Sequence, residues 1–344
     1  MKAYYKKYIL NFKQPSGTSR GILKTKETYF LIIENNGKRG IGECGLFKGL
    51  SIDDTPNYEK KLQWVCDHIH LSKDALLENL FNYPSIQFGL EQALTLLQNN
   101  HPFELFPSDF TLGKKAIPIN GLIWMGSFDF MKQQINKKLQ EGFTTIKLKI
   151  GAIHFEEEIA LLRAIRKEYS PREIELRVDA NGAFTETDAL EKLKRLSAFD
   201  LHSIEQPIQP KQWQLMAKLC EQTPLPIALD EELIGIFTTK EKERLINAIN
   251  PQYIILKPSL IGGFKGSNQW IATANAKRIG WWITSALESN VGLNAIAQFT
   301  YSLGVTMPQG LGTGSLFTNN FDAPLVVKNG YLHYNPKLQW NFNL

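Results

Sequence analysis

The chain has 344 residues, 43% hydrophobic and 21% charged, with 39 basic against 34 acidic side chains and a formal net charge of +5. This is the make-up of a folded globular protein of one large or two unequal domains. The mild basic excess, with no basic tail or Arg/Lys cluster, suits an anionic small-molecule substrate and argues against a nucleic-acid partner.

No apolar run approaches the roughly 20 residues that span a bilayer, so no membrane partner is expected. The start, MKAYYKKYILNFKQPSG, has no apolar core of the kind a secretion signal needs. Cys44, Cys66 and Cys220 are odd in number and lack ligand spacing, which reads as reduced thiols in a cytoplasmic protein.

In chain order, residues 3–13 alternate aromatics, lysines and aliphatics, and TYFLIIE at 28–34 runs into the turn signal NNGKRG. Together they predict an antiparallel hairpin. GIGECGLFKGLS at 40–51 is too glycine-rich for a helix and is expected to cross close to another part of the chain. Helical patterns follow around 58–78 and 85–99; the second begins after Pro84, with Ser85 as N-cap and Leu90, Ala93, Leu94 and Leu97 on one stripe. Residues 1–110 are therefore expected to form an α+β unit that leans on a larger body.

From AIPINGLI at 116–123 onward, short apolar strands alternate with amphipathic helices, predicted over 128–141, 154–169, from Thr185, 237–248 and 267–276. Five strands end at Lys149, Asp179, Glu205, Asp230 and Lys257, at separations of 30, 26, 25 and 27 residues. That is the period of consecutive βα units, and near-continuous apolar runs such as YIIL suit parallel strands buried on both faces. RIGWWIT at 278–284 is the expected seventh strand and 303–307 the eighth. The fold class is then α/β, a TIM-type (β/α) barrel over 111–314, with the tail 315–344 and its LVVKNGYLHY stretch expected to return to the N-terminal unit.

A closed parallel barrel gathers its strand ends around one mouth. Three carboxylates there, Asp179, Glu205 and Asp230, would repel one another without a cation. Oxygen donors alone suit Mg2+, or Mn2+ as a substitute, and the lack of His or Cys at these ends weighs against zinc. Lys149 and Lys257 stand on strands to either side of the acids.

KLK at 147–149, RVDAN at 177–181, EQP at 205–207, DE at 230–231 and KPSLIGG at 257–263 occur in this order. The chain thereby resembles the enolase superfamily in its muconate-lactonising and mandelate-racemase-like branch, over nearly its whole length and including GLGTG at 310–314. The resemblance implies an enolase-like barrel under an α+β cap built from the N-terminal region and the tail. It also implies two cap specificity loops matching 15–22 and 45–50, among which Arg20 is either a cation for a distal substrate carboxylate or a solvated charge.

The implied activity is metal-assisted dehydration of 2-succinyl-6-hydroxy-2,4-cyclohexadiene-1-carboxylate to 2-succinylbenzoate, a step of menaquinone biosynthesis. N-succinylamino acid racemisation and dipeptide epimerisation are the alternatives. The epimerase reading is weakened because 306–314, TMPQGLGTG, offers no acid for a substrate ammonium.

Lys149 is the expected general base, its pKa lowered by the metal and a neighbouring ammonium. Lys257 serves either as a second acid/base or as a fixed charge on the developing enediolate, and the resemblance favours the fixed charge. Lys147 shares the inward face with Lys149. Arg177 either orients a ligand carboxylate or makes an ion pair inside the barrel. Asn181 and Glu231 are expected behind the metal ligands or the base. Ser285, Ser289, Gly312 and Thr313 are expected substrate contacts, and Glu288 is a candidate partner for a catalytic lysine. Whether Trp64, Trp213 and Trp270 pack helices or line a homo-oligomer interface is open.

Overall fold

The computed structural model describes residues 1–18, 21–99, 101–151 and 153–344. Two long strands, β1 (Lys2–Thr18) and β2 (Gly21–Asn35), pair antiparallel, and a tight turn at Asn36 and Gly37, both with positive φ, leads into β3 (Lys38–Cys44). The first hairpin is longer than the alternation predicted, and its strands take up much of the expected 15–22 loop. Arg20 lies outside the described residues.

Helices α1 (Tyr58–Asp67), α2 (Lys73–Asn79) and α3 (Pro84–Gln98) follow. The single pattern at 58–78 is thus two helices, the second capped by Ser72, whose side chain accepts from the Ala75 amide. Inward residues of the sheet, such as Leu31 and Ile33, and of the helices, such as Leu62 and Leu90, make the core of this cap. Gly40 and Gly42 lie against the backbone of α3 at Ala93 and Gly89, where no side chain would fit.

The barrel has β5 (Gly121–Ile123), β6 (Thr145–Lys149), β7 (Glu175–Asp179), β8 (Ser203–Glu205), β9 (Ile227–Leu229), β10 (Tyr253–Leu256) and β11 (Gly280–Ile283), hydrogen-bonded side by side in chain order. A short strand, β4 (Ala116–Pro118), precedes them. The return helices are α4 (Phe128–Gln140), α5 (Phe155–Glu168), α6 (Ala189–Ser197), α7 (Trp213–Gln222), α8 (Thr239–Ile249), the short α9 (Pro258–Ile261), α10 (Gly263–Ala276) and α11 (Asn290–Ser302). Acids in the first turn and bases in the last, as in α5 with Glu156–Glu158 and Arg166–Lys167, follow the helix dipole.

The eighth strand is not at 303–307, where α11 ends and the chain turns. Single parallel bridges from Gln309 to Ile119 and from Gly310 to Thr284 fill the eighth position instead. Glycines at 310, 312 and 314 leave this segment without the apolar run that marks the other strands.

In the tail, β12 (Leu325–Lys328) and β13 (Tyr331–Tyr334) form a hairpin that adds to β4, so LVVKNGYLHY does not itself meet the cap sheet. Its flanks do: Phe317 bridges Phe12, and Phe321 and Phe342 pack on Phe30. Of the tryptophans, Trp270 is fully buried, Trp64 stacks on His68, and Trp213 donates to Glu232. The Trp64 contact runs along α1 itself, and the Trp213 contact joins α7 to the turn after β9.

Candidate active site

Strand register sets the site. Leu122 is level with Lys147, and Lys149 with Asp179, which is level in turn with Glu205. Residues directly opposite on parallel strands point the same way, so the lysines enter one cavity from their strand ends, with Asp179, Glu205 and Asp230 buried beside it. The cavity, about 280 Å³, is lined by Lys147, Lys149, Asn181, Glu231 and Lys257 on one side and Asn120, Leu122, Trp124, Ser285, Gly312 and Thr313 on the other. Phe47 and Leu50 of the cap cover it.

The three acids are almost wholly buried and held by ammonium groups. Lys147 Nζ lies 2.9 Å from Asp179 Oδ2 and donates to Glu205 Oε2. Lys149 Nζ donates to Asp179 Oδ2 and to Asn181 Oδ1, both at 2.7 Å. Lys257 Nζ donates to Asp230 Oδ2.

Burial would raise Asp179, but Lys147 and Lys149 outweigh it and hold that carboxyl well below its usual range. Burial likewise yields to Lys257 at Asp230, which is lowered. Glu205 goes the other way: burial and then Asp179 push it far up. Burial alone would lower Lys147 and Lys257; the acids around each reverse that and raise both.

Asn181 adopts φ 44°, a conformation Asn tolerates better than most residues, and this folds it back so that its amide N–H donates to Asp179 Oδ1 at 3.0 Å. Its side chain donates to Glu231 Oε1 at 3.0 Å. Gln206, in the EQP stretch, has no predicted role yet ties two strand ends together. Its Oε1 accepts from the Asp230 and Glu232 amides at 3.2 and 3.3 Å, and its Nε2 donates to the Ile208 carbonyl at 3.0 Å.

The donor set fits a hard divalent cation. Three carboxylates stand on successive strand ends without sulfur or imidazole, and buried Glu205 Oε1 has no hydrogen-bond partner. Among the described residues no three acidic, imidazole or thiol groups are drawn together as a ready cation cage; the lysines take the carboxylate oxygens instead.

Two expectations change in the structure, those for Ser289 and Glu288, and the alternatives for Arg177 are decided. Arg177 makes the ion pair: its Nε donates to Glu175 Oε1 at 2.8 Å, Nη1 donates to the Pro308 carbonyl at 2.9 Å, and the guanidinium covers Trp282. It faces the barrel floor, away from the cavity. Ser289 is fully buried and donates to Glu43 Oε2 of the cap at 2.5 Å, so it is no substrate contact. Glu288 accepts from Ser259 Oγ and the Ala286 amide, and the charge that acts on it most is Lys26 of the cap, which lowers it against burial, in place of a catalytic lysine. Hydroxyls before a helix look alike in sequence whether they face a ligand or a buried acid. Asn120, Leu122 and Trp124 carry no motif; their only signal is a period of two along one strand.

The family model described as enolase C-terminal domain-like matches residues 131–337. The chain belongs to the enolase superfamily, whose enzymes use a divalent metal ion. It is 47% identical to an o-succinylbenzoate synthase of Desulfotalea psychrophila, over 96% of this chain and 98% of that protein.

A crystal structure of MenC from the same organism superposes with a TM-score of 0.87 at 44% identity, covering 97% of this chain and 99% of the other. The L-Ala-D/L-Glu epimerase of Bacillus subtilis shares the fold, with TM-score 0.84 at 19% identity over 99% and 97% of the two chains. Among the described residues no helix is long and apolar enough to cross a membrane.

Proposed function

We propose that this chain is an o-succinylbenzoate synthase, a lyase that dehydrates 2-succinyl-6-hydroxy-2,4-cyclohexadiene-1-carboxylate to 2-succinylbenzoate. The observation that carries the reading is the near end-to-end similarity to the Desulfotalea psychrophila synthase, joined to a cavity with lysines on β6 and β10 flanking the acids of β7–β9.

Asp179, Glu205 and Asp230 hold Mg2+, with Mn2+ as a substitute. The ion supplies positive charge beside the substrate carboxylate when bound. Lys149 takes the proton from the carbon that bears the carboxylate, with Asn181 fixing the amine. Lys257 stays protonated on the other face and stabilises the negative charge that develops on the carboxylate oxygens. The proton taken by Lys149 returns to the departing hydroxyl, so that water leaves and the ring becomes aromatic. Lys147 holds Asp179 and Glu205 in register, and Glu231 holds Asn181. Ser285, Gly312 and Thr313 line the wall against which the ring lies. We place the enzyme in the cytoplasm, in keeping with three unpaired, buried cysteines.

Dehydration is favoured over dipeptide epimerisation because Gly310, Gly312, Thr313 and Ser315 line the cavity from the eighth strand position and bring no carboxylate for a substrate ammonium. The test is kcat/KM for the cyclohexadiene carboxylate measured beside an N-succinylamino acid and a dipeptide. The expected result is a far larger value for dehydration. A larger value for racemisation or epimerisation, or no aromatic product, overturns the reading.

A further inference from the structure

The cavity runs down along β5, past Trp124 and Leu122 to Asn120 and on to Phe143. Asn120 is 5% exposed, and its backbone N–H is already bound to the Gln309 carbonyl at 3.0 Å. Its side-chain amide makes no hydrogen bond among the described residues, while the groups around it are occupied. Ser285 Oγ pairs with Thr313 Oγ1 at 2.6 Å, Thr284 Oγ1 donates to the Gly310 carbonyl at 2.9 Å, and both ends of the Gln309 amide are taken by backbone.

An amide without a protein partner in an otherwise buried residue is satisfied by whatever fills the space it opens onto. It faces a cavity, and the neighbouring segment keeps that cavity open: a Cβ added at Gly312 would meet only ordinary contact, 3.5 Å from Ile119 Cδ1.

Position gives the amide its use. In a barrel ordered β5 to β11 with the eighth position at 309–311, β5 stands across from β9, which leads into Asp230. A substrate with one carboxylate beside the acids of β7–β9 extends its other end toward β5.

We propose that the Asn120 amide recognises the substrate's arm, its NH2 donating to a carbonyl or carboxylate oxygen there, with Trp124 as the apolar wall for the arm's methylenes. This rests on the dehydratase reading, in which the arm is the succinyl group, and it makes Asn120 a specificity residue with no part in the proton transfer.

The experiment measures binding of 2-succinylbenzoate and of benzoate, by calorimetry with Mg2+ present, to the native protein and to Asn120→Leu and Asn120→Asp. The second variant keeps the shape, removes the donor and sets a negative charge against the arm. Both variants are expected to weaken 2-succinylbenzoate by about 10-fold to 100-fold, the effect of a lost hydrogen bond to a charged group, while benzoate binds as before. In turnover the loss appears in KM more than in kcat. If Asn120→Leu misfolds by circular dichroism, the isosteric Asn120→Asp decides alone. Equal weakening of both ligands, or of neither, overturns the proposal. Native protein that binds 2-succinylbenzoate but forms no aromatic product refutes the dehydratase reading and leaves the Asn120 result standing as a result on binding.

Discussion

On one side of the cavity, β6 to β10 bring lysines and acids to successive strand ends, and nearly every charge there is held by an opposite charge within 3 Å. On the other side, β11, the 309–311 segment and β5 present neutral groups: paired hydroxyls, glycines, an indole and one unengaged amide. The charged arc is suited to moving a proton next to an anion, a task shared by many reactions. The neutral arc is free to vary with the substrate, since changing it leaves the ion pairs untouched. Reaction type and substrate choice are thereby separated in space.

The largest expected effect breaks the charged arc. Chelation should abolish turnover and Mg2+ should restore it, and Asp230→Asn should weaken metal binding, read by calorimetry, together with activity. Full activity in metal-free protein would remove the basis for assigning Asp179, Glu205 and Asp230 as ligands.

The next effect loosens the support of the neutral arc. Glu43 is buried and accepts from Thr28 Oγ1, from the amides of Ser289 and Gly292, and from Ser289 Oγ, which clamps the start of α11 to the cap. Glu43→Ala leaves those donors unsatisfied and should cost about 3–5 kcal/mol in denaturant unfolding. Lys149 and Lys257 should keep their relative importance in the folded fraction.

A smaller effect concerns the anchor of the charged arc. Glu91 of α3 accepts from the Phe264 and Lys265 amides at the start of α10, after the KPSLIGG turn. Burial pushes its carboxyl up to about 7, against the lowering by Lys73 and by those two amides. With the folded value above the unfolded one near 4.5, the stability from this group is fully present below about pH 4.5 and is lost as pH rises through about 7. The span corresponds to at most about 3 kcal/mol. Glu91→Gln should flatten that part of the stability curve, and an unchanged slope would show that other groups govern it.

The charged arc was legible because parallel strands are short and apolar, so a charge at a regular interval marks each strand end. Lys149, Asp179, Glu205, Asp230 and Lys257 stand where that period puts them. The neutral arc carries no such mark. Gln309 and Gly310 stand in for a strand through single bridges, while the nearest apolar run in sequence, 303–307, is helix end and turn. Ser289 reads as a substrate contact in sequence because a hydroxyl at a helix start gives no sign of which partner it meets across the fold. Asn120 looked like any polar residue at a strand start; its significance depends on Gln309 and Thr313 having found other partners, a fact of tertiary structure.

The division of labour is tested most directly by comparing Lys149→Ala with Lys257→Ala, each saturated with Mg2+ and substrate. Product formation and exchange of the substrate's alpha proton with solvent deuterium are measured together. Lys149→Ala should lose both, a fall of at least about 10²–10⁴-fold, because no other group takes the proton. Lys257→Ala should slow product formation through lost charge stabilisation while the base remains. Normal product formation by Lys149→Ala with none by Lys257→Ala would contradict the assignment and put the base on the opposite face.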